Sequence, residues 1–271
     1  MKMQPELETL KSKLRATWTA GDFHQIAKAY TKGAEQFVER LNLQPGVKVL
    51  DVACGSGNLA IPAARLGADV TGMDLAPEMV QQARRNAEAE GLTAQFDEGD
   101  AEALQYNNDQ FDVVMTMFGA MFAPRPDVVT AVLLRVCKSG GKIAMANWTP
   151  SGFIGQMFKA TSAHVPPPAG MTSPVLWGVE ETVRERFGSA VSSLAATPRN
   201  ILFRFPFGPV EVVEHFRTYY GPTQKAFGAL DETGQAALRT DLEKLWTDNN
   251  RATDGTTEVE SQYLEVIATK A

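Results

Sequence analysis

The stretch that most constrains this chain is Val49-Leu-Asp-Val-Ala-Cys-Gly-Ser-Gly-Asn-Leu-Ala60. Val47, Val49, Leu50 and Val52 make a short apolar, β-branched run suited to a buried strand, and Gly55 and Gly57 let the backbone turn and approach a ligand closely. A strand, a glycine turn and a helix start leave backbone N–H groups free at the carboxyl edge of a sheet, where open α/β folds bind nucleotides. Asp51 narrows the ligand further. It stands four residues before Gly55, at the mouth of a loop that in a dinucleotide-binding protein receives a doubly charged pyrophosphate. A carboxylate there favours a ligand whose near end is cationic.

The next segments follow in a fixed order. Gly67 to Asp74 reads as a strand ending in an acid, and Asp74 lies 19 positions beyond Gly55, the spacing with which a βαβ unit brings a carboxylate to the ribose of a nucleoside bound at the first turn. Pro77 and Glu78 open a helix that Gly91 ends. Ala94 to Phe96 is a brief third strand, followed by Gly99-Asp100-Ala101-Glu102. Phe111 to Met117 is a fourth strand running into Phe118-Gly-Ala-Met-Phe122. Phe118 and Met121 are soft, polarizable walls suited to a cation, although apolar residues after a strand also serve simply as core.

Asp51-x-Ala53-x-Gly55-x-Gly57 resembles motif I of the class I S-adenosylmethionine-dependent methyltransferases, and the Asp74, Asp100 and Phe118 segments are similar to later family motifs in the same order. The resemblance covers residues 45–150 well and the rest loosely. Within the family the chain is most similar to small-molecule methyltransferases related to the quinone-biosynthesis enzymes. The resemblance implies S-adenosylmethionine as cofactor, held by Asp51, Ala53, Gly55, Gly57, Asp74, Leu75, Asp100, Ala101 and Phe118. In it Asp74 takes the ribose hydroxyls, Asp100 accepts from the adenine amine while the Ala101 N–H faces the ring, and Phe118 lies near the transferable methyl. It also implies an α/β, Rossmann-like, seven-stranded mostly parallel sheet with an antiparallel last strand and helices on both faces. Extra N-terminal helices and a helical insertion would form a lid. The Asn-Pro-Pro-Tyr motif of many amine-modifying relatives is missing, which counts against methylation of DNA bases.

Outside that core the reading is coarser. Leu7, Leu10, Leu14 and Trp18 recur at helical spacing, Gly21 interrupts, and Asp22-x-x-Gln25 resembles a capping box opening a second helix through Ile26, Tyr30, Phe37 and Leu41. These helices either pack on the core or close over a ligand with Phe23 and Tyr30. Helices are expected over Val128–Val136, around Phe153 to Phe158, and over Glu180–Phe187, Val210–Tyr220 and Leu230–Trp246; strands are expected over Lys142–Trp148, Ile201–Phe207 and Thr256–Ala268. Val165 to Gly178 reads as a proline-rich loop, too long for a plain connector. One domain results: a helical cap (1–44), a cofactor-binding core (45–150), and substrate-side lid elements with closing strands (151–271).

Substrate contacts are expected from Phe23, Tyr30, Phe122, Trp148, Phe153, Trp177 and Tyr219, so the acceptor is a small, partly apolar molecule. Methyl transfer from an activated sulfonium needs positioning more than a base, and no catalytic residue is assigned; His24, His164, His215, Tyr219 and Tyr220 are the base candidates. A net charge of −6 argues against nucleic acid as partner. Two cysteines, no Cys-x-x-Cys and three histidines argue against disulfides and a metal site. Cys137 reads as structural, and Cys54 as a small side chain that fits its loop. No apolar run approaches a membrane span and the N-terminus is charged, so a cytoplasmic protein without membrane insertion is expected. Two other functions share these motifs: a nucleoside-binding protein without catalysis, and an NAD-dependent oxidoreductase. The pattern carries no information on oligomeric state.

Overall fold

The computed structural model describes residues 5–168 and 170–271. Residues 1–4 of the expected cap, which carry part of the charged N-terminus, and Ala169 of the proline-rich loop lie outside the described residues. The first half of the chain alternates strand and helix: β1 (Lys48–Val52), α4 (Ala60–Arg65), β2 (Asp69–Asp74), α5 (Pro77–Ala89), β3 (Gln95–Glu98), β4 (Phe111–Met117), α6 (Pro126–Val136) and β5 (Cys137–Trp148). Before it come α1 (Pro5–Trp18), α2 (Phe23–Ala27) and α3 (Thr31–Arg40). After it come α7 (Phe153–His164), α8 (Glu180–Phe187), β6 (Val191–Phe205), α9 (Pro209–Tyr219), α10 (Gly221–Gly228), α11 (Glu232–Asn249) and β7 (Thr257–Lys270).

The seven strands form one sheet in the order β3-β2-β1-β4-β5-β7-β6. β1 pairs in parallel with both β2 and β4, and β7 runs antiparallel to both its neighbours, so six strands share one direction and β7 opposes them. The expected mostly parallel sheet is present. From β1 the chain steps outward through β2 to β3, then returns to the other side of β1 for β4. The crevice at the carboxyl ends of β1 and β4 is therefore the switch point at which open α/β sheets bind ligands.

Three stretches differ from the sequence expectation. The helix expected from Asp22 to Leu41 breaks into α2, a 3-10 turn at Lys28–Tyr30, and α3. The break lets Tyr30 reach the interior, with its ring 5.9 Å from Phe118 and 5.3 Å from Phe203. The strand expected from Ile201 begins ten residues earlier, at Val191. Residues 191–200 are mostly exposed, because β6 is the sheet edge, where polar residues and even Pro198 are tolerated. Beyond α9, Pro222 at a helix start opens α10 where no element was expected.

Candidate active site

A cavity of about 1040 Å³, counting its open mouth, lies at the switch point. Its floor is made by the turns after β1 and β4. Ala53 and Phe118, the residues that follow those strands, both adopt left-handed backbone (φ 57° and 54°), a conformation that costs a residue with a side chain and is kept only where surroundings demand it. The two turns touch: a Cβ on Gly119 would come 2.6 Å from the Ala53 Cβ and 2.8 Å from its carbonyl oxygen. Only glycine fits there.

The expected acids converge on this cavity. Asp74, at the end of β2, accepts from the Gly55 N–H at 2.8 Å and the Ala76 N–H at 2.9 Å, so residues 19 apart in the chain meet directly. Burial pushes its carboxyl up from the usual range, against those two hydrogen bonds. Asp51, 1% exposed in β1, accepts from the Ala60 N–H at 3.0 Å, where α4 begins. Burial pushes it up to about 8, opposed by that hydrogen bond and reinforced by nearby Asp74. A buried carboxyl so poorly compensated attracts a cation or extra donors. Cys54 also lines the cavity, and burial raises its thiol well above the ordinary value, so it is no nucleophile.

Asp100, after β3, is held at both oxygens. Oδ1 accepts from the Glu102 N–H at 2.8 Å and Oδ2 from Lys11 Nζ of α1 at 2.5 Å. Glu102 is fully buried at its side chain and takes Lys11 Nζ at 2.6 Å, together with the Arg125 N–H at 2.6 Å and Arg125 Nε at 2.8 Å.

Of the residues expected to hold the cofactor, Asp51, Ala53, Gly55, Asp74, Leu75, Asp100, Ala101 and Phe118 line the cavity. Gly57 does not; a Cβ there would meet Ile61 at 3.0 Å, so it serves the packing of α4. Of the expected substrate contacts, Phe23, Tyr30 and Phe122 line it. Trp148 lies behind the wall, stacked on Phe118 with ring centroids 3.4 Å apart. Phe153 packs on Trp246, Trp177 lies under the Arg186 guanidinium, and Tyr219 sits beside His215, away from the cavity lining. The base candidates are also off the lining. His24 Nδ1 lies 3.0 Å from Ser56 Oγ, His164 pairs with Asp241 at 2.7 Å, His215 Nε2 is 3.4 Å from the Gln25 carbonyl, and Tyr220 packs on Trp18.

Several lining residues carried no specific sequence signal. Lys11, Leu14 and Trp18 form one face of α1 and close one side of the cavity. Trp18 meets Phe122 at 5.0 Å, Tyr220 at 5.9 Å and Phe23 at 6.1 Å. The Leu14 and Trp18 stripe was legible as helical, but its face toward a ligand was not. Asn58 adds a polar group near the Tyr30 hydroxyl. Burial raises the Tyr30 phenol, opposed by Asn58, so it keeps its proton at neutral pH.

A family profile described as a methyltransferase domain matches residues 49–141. Uncharacterized protein Rv1405c of Mycobacterium tuberculosis is 36% identical over 98% of this chain and 97% of its own length. Methyltransferase GfsG of Streptomyces halstedii is 36% identical over 132 residues, 48% of each chain. Among solved structures, the YcgJ protein of Bacillus subtilis superposes with a TM-score of 0.59 at 14% identity, covering 88% of this chain and 97% of its own; at that identity the likeness is one of fold.

Proposed function

We propose that this chain, a class I S-adenosylmethionine-dependent methyltransferase by its methyltransferase domain over residues 49–141, binds S-adenosylmethionine in the switch-point cavity and methylates a small, partly apolar acceptor there. The observation that carries this reading is the convergence of Asp51, Asp74 and Asp100 on one cavity that also has aromatic walls. The residues fit the cofactor: buried carboxyls short of donors suit a ligand that is cationic and rich in hydroxyl and amine N–H groups. When bound, S-adenosylmethionine would supply a methyl group already activated by its sulfonium, for transfer to an acceptor held beside it.

The chain's own residues position and enclose. Asp74 has lone pairs left beyond its two backbone bonds with which to accept the ribose hydroxyls. Asp100 accepts the adenine amine, with Leu75 and the Ala101 N–H beside the ring. Ala53, Gly55 and Asp51 border the cationic end, Gly57 supports their turn from behind, and Phe118 offers an aromatic face to the sulfonium, an attraction of about 0.5–2 kcal/mol. Trp18, Phe23, Tyr30 and Phe122 exclude water and receive the acceptor. Holding the reactants in place can supply up to roughly 7–11 kcal/mol of the barrier reduction, so no base from the chain is required. In this reading residues 5–44 cap the site, 45–150 hold the cofactor, and the described residues of 151–271 complete the sheet and back the aromatic wall.

Calorimetry with S-adenosylmethionine, S-adenosylhomocysteine and NAD tests the cofactor. Micromolar binding of the first two is expected; binding of NAD alone overturns the reading. A screen of phenols, quinols, thiols and small acids, read by mass spectrometry for gain of one methyl group, separates an enzyme from a protein that only holds the nucleoside.

A further inference from the structure

Lys11 has no place in the methyltransferase motifs, lying 89 residues from Asp100 and outside the core. Its ammonium nevertheless bridges two core acids, Asp100 Oδ2 at 2.5 Å and Glu102 Oε2 at 2.6 Å, with its side chain only 12% exposed. Lys11 also lines the cavity, on the same face of α1 as Leu14 and Trp18. A carboxylate offers about four lone-pair sites. Lys11 and the Glu102 N–H occupy one on each oxygen of Asp100, which holds the carboxylate at both oxygens and leaves a lone pair on each for a ligand in the cavity that Asp100 lines.

Charge makes the bridge necessary. Asp100 and Glu102 are like charges held close together, and Arg125 serves only Glu102. Lys11 is the cation on Asp100. Without it, Asp100 faces the Glu102 carboxylate alone and is free to turn to solvent, away from a ligand. The same bridge fastens the middle of α1 to the core, while Trp18 fastens its end among Phe122, Phe23 and Tyr220.

We infer that Lys11 is a positioning residue for the cofactor: its bridge to Asp100 and Glu102 orients the acid that receives the adenine amine and makes closure of α1 and reception of that amine one event. This rests on the reading of Asp100 as the adenine acceptor. A ligand seated against Asp100 excludes water from the bridge and strengthens it, so an occupied site holds α1 down more firmly than an empty one.

The test compares wild type, Lys11→Met and Lys11→Arg, using S-adenosylhomocysteine and S-inosylhomocysteine, whose ring has a carbonyl where adenine has its amine. Lys11 is on a surface helix, so both variants should fold, and a thermal melt checks this. In wild type, S-adenosylhomocysteine should slow amide exchange along α1. In K11M its affinity should fall about tenfold, mostly through faster release, and α1 should lose that protection. K11R should restore both, and S-inosylhomocysteine affinity should change less than about threefold. Wild-type affinity in K11M, equal weakening of both ligands, or a folded K11R that rescues nothing would each overturn the inference. Failure of wild type to bind S-adenosylhomocysteine would instead overturn the methyltransferase reading, so the two failures are distinct.

Discussion

Burial leaves the Asp51 carboxyl with a single hydrogen-bond donor among the described residues, the Ala60 N–H, and its folded-state pKa rises from 3.8 to about 8. Between those values the folded protein holds a proton that the unfolded chain has released. The contribution of this group to stability is therefore complete below 3.8 and lost as pH rises through 8. Asp74, also raised by burial, acts with the same sign. Urea midpoints should accordingly decline across this window, and Asp51→Asn should flatten the decline; an unchanged slope in the folded variant would exonerate Asp51. A cationic ligand should draw the proton off, seen at pH 7 as proton release in calorimetry across buffers of different ionisation enthalpy. For Asp74→Ala, loss of the ribose acceptor and of the Gly55 anchor should weaken S-adenosylhomocysteine binding at least about tenfold; unchanged affinity in a folded variant refutes the assignment. The three acids were legible because each lies at or near the end of a strand, at a distance from the glycine turn set by local βα geometry. Lys11 was not, because its meaning comes from a partner 89 residues away.

Elements with a clear period and firm punctuation were read at their observed bounds: β4 at Phe111–Met117, between a loop and the Phe118 turn, and α8 at Glu180–Phe187, before Gly188. Errors gathered where tertiary contact overrode local pattern. The first ten residues of β6 look like a polar linker and are ordered by pairing with β7 from Val191↔Lys270 to Asn200↔Gln262. The α9–α10 corner likewise exists for α1. The Asp22 N–H donates to the Tyr219 carbonyl at 3.0 Å, Gly21 bridges Tyr220, and a Cβ on Gly221 would collide with the Thr17 carbonyl oxygen. Gly221→Ala should therefore destabilise the protein by about 1–3 kcal/mol and speed amide exchange in α1 more than in the sheet. Uniform exchange or an unchanged urea midpoint would show that the corner accommodates the methyl.

Across the whole molecule the N-terminal cap and the last strand are tied by one acid. Glu265 of β7, 5% exposed, accepts from Arg40 Nε at 3.0 Å in α3 and from Arg199 Nε at 2.6 Å in β6, while Arg40 also reaches the Tyr263 hydroxyl at 2.9 Å. Glu265 is buried but its two arginines are partly exposed, so Glu265→Ala should cost about 1–3 kcal/mol in urea unfolding. A cost below 1 kcal/mol would mean that the arginines find water instead. A fragment of residues 45–150 should fail to fold alone, because β5 would lose β7, the strand that pairs along buried Ile143 and Met145; a cooperative melt of that fragment would disprove this. What the sequence alone determined is the order of short-range units: a β1 turn with an acid before its glycines, further acids at the end of β2 and after β3, and an aromatic after β4. Those are set by backbone geometry within a few tens of residues. The tertiary structure decided which of the scattered aromatics face the cavity, that Trp148 only backs Phe118, and that α1 brings Lys11 to Asp100. Such choices depend on long-range packing and charge pairing, where a residue's type is compatible with many neighbours until the fold selects one.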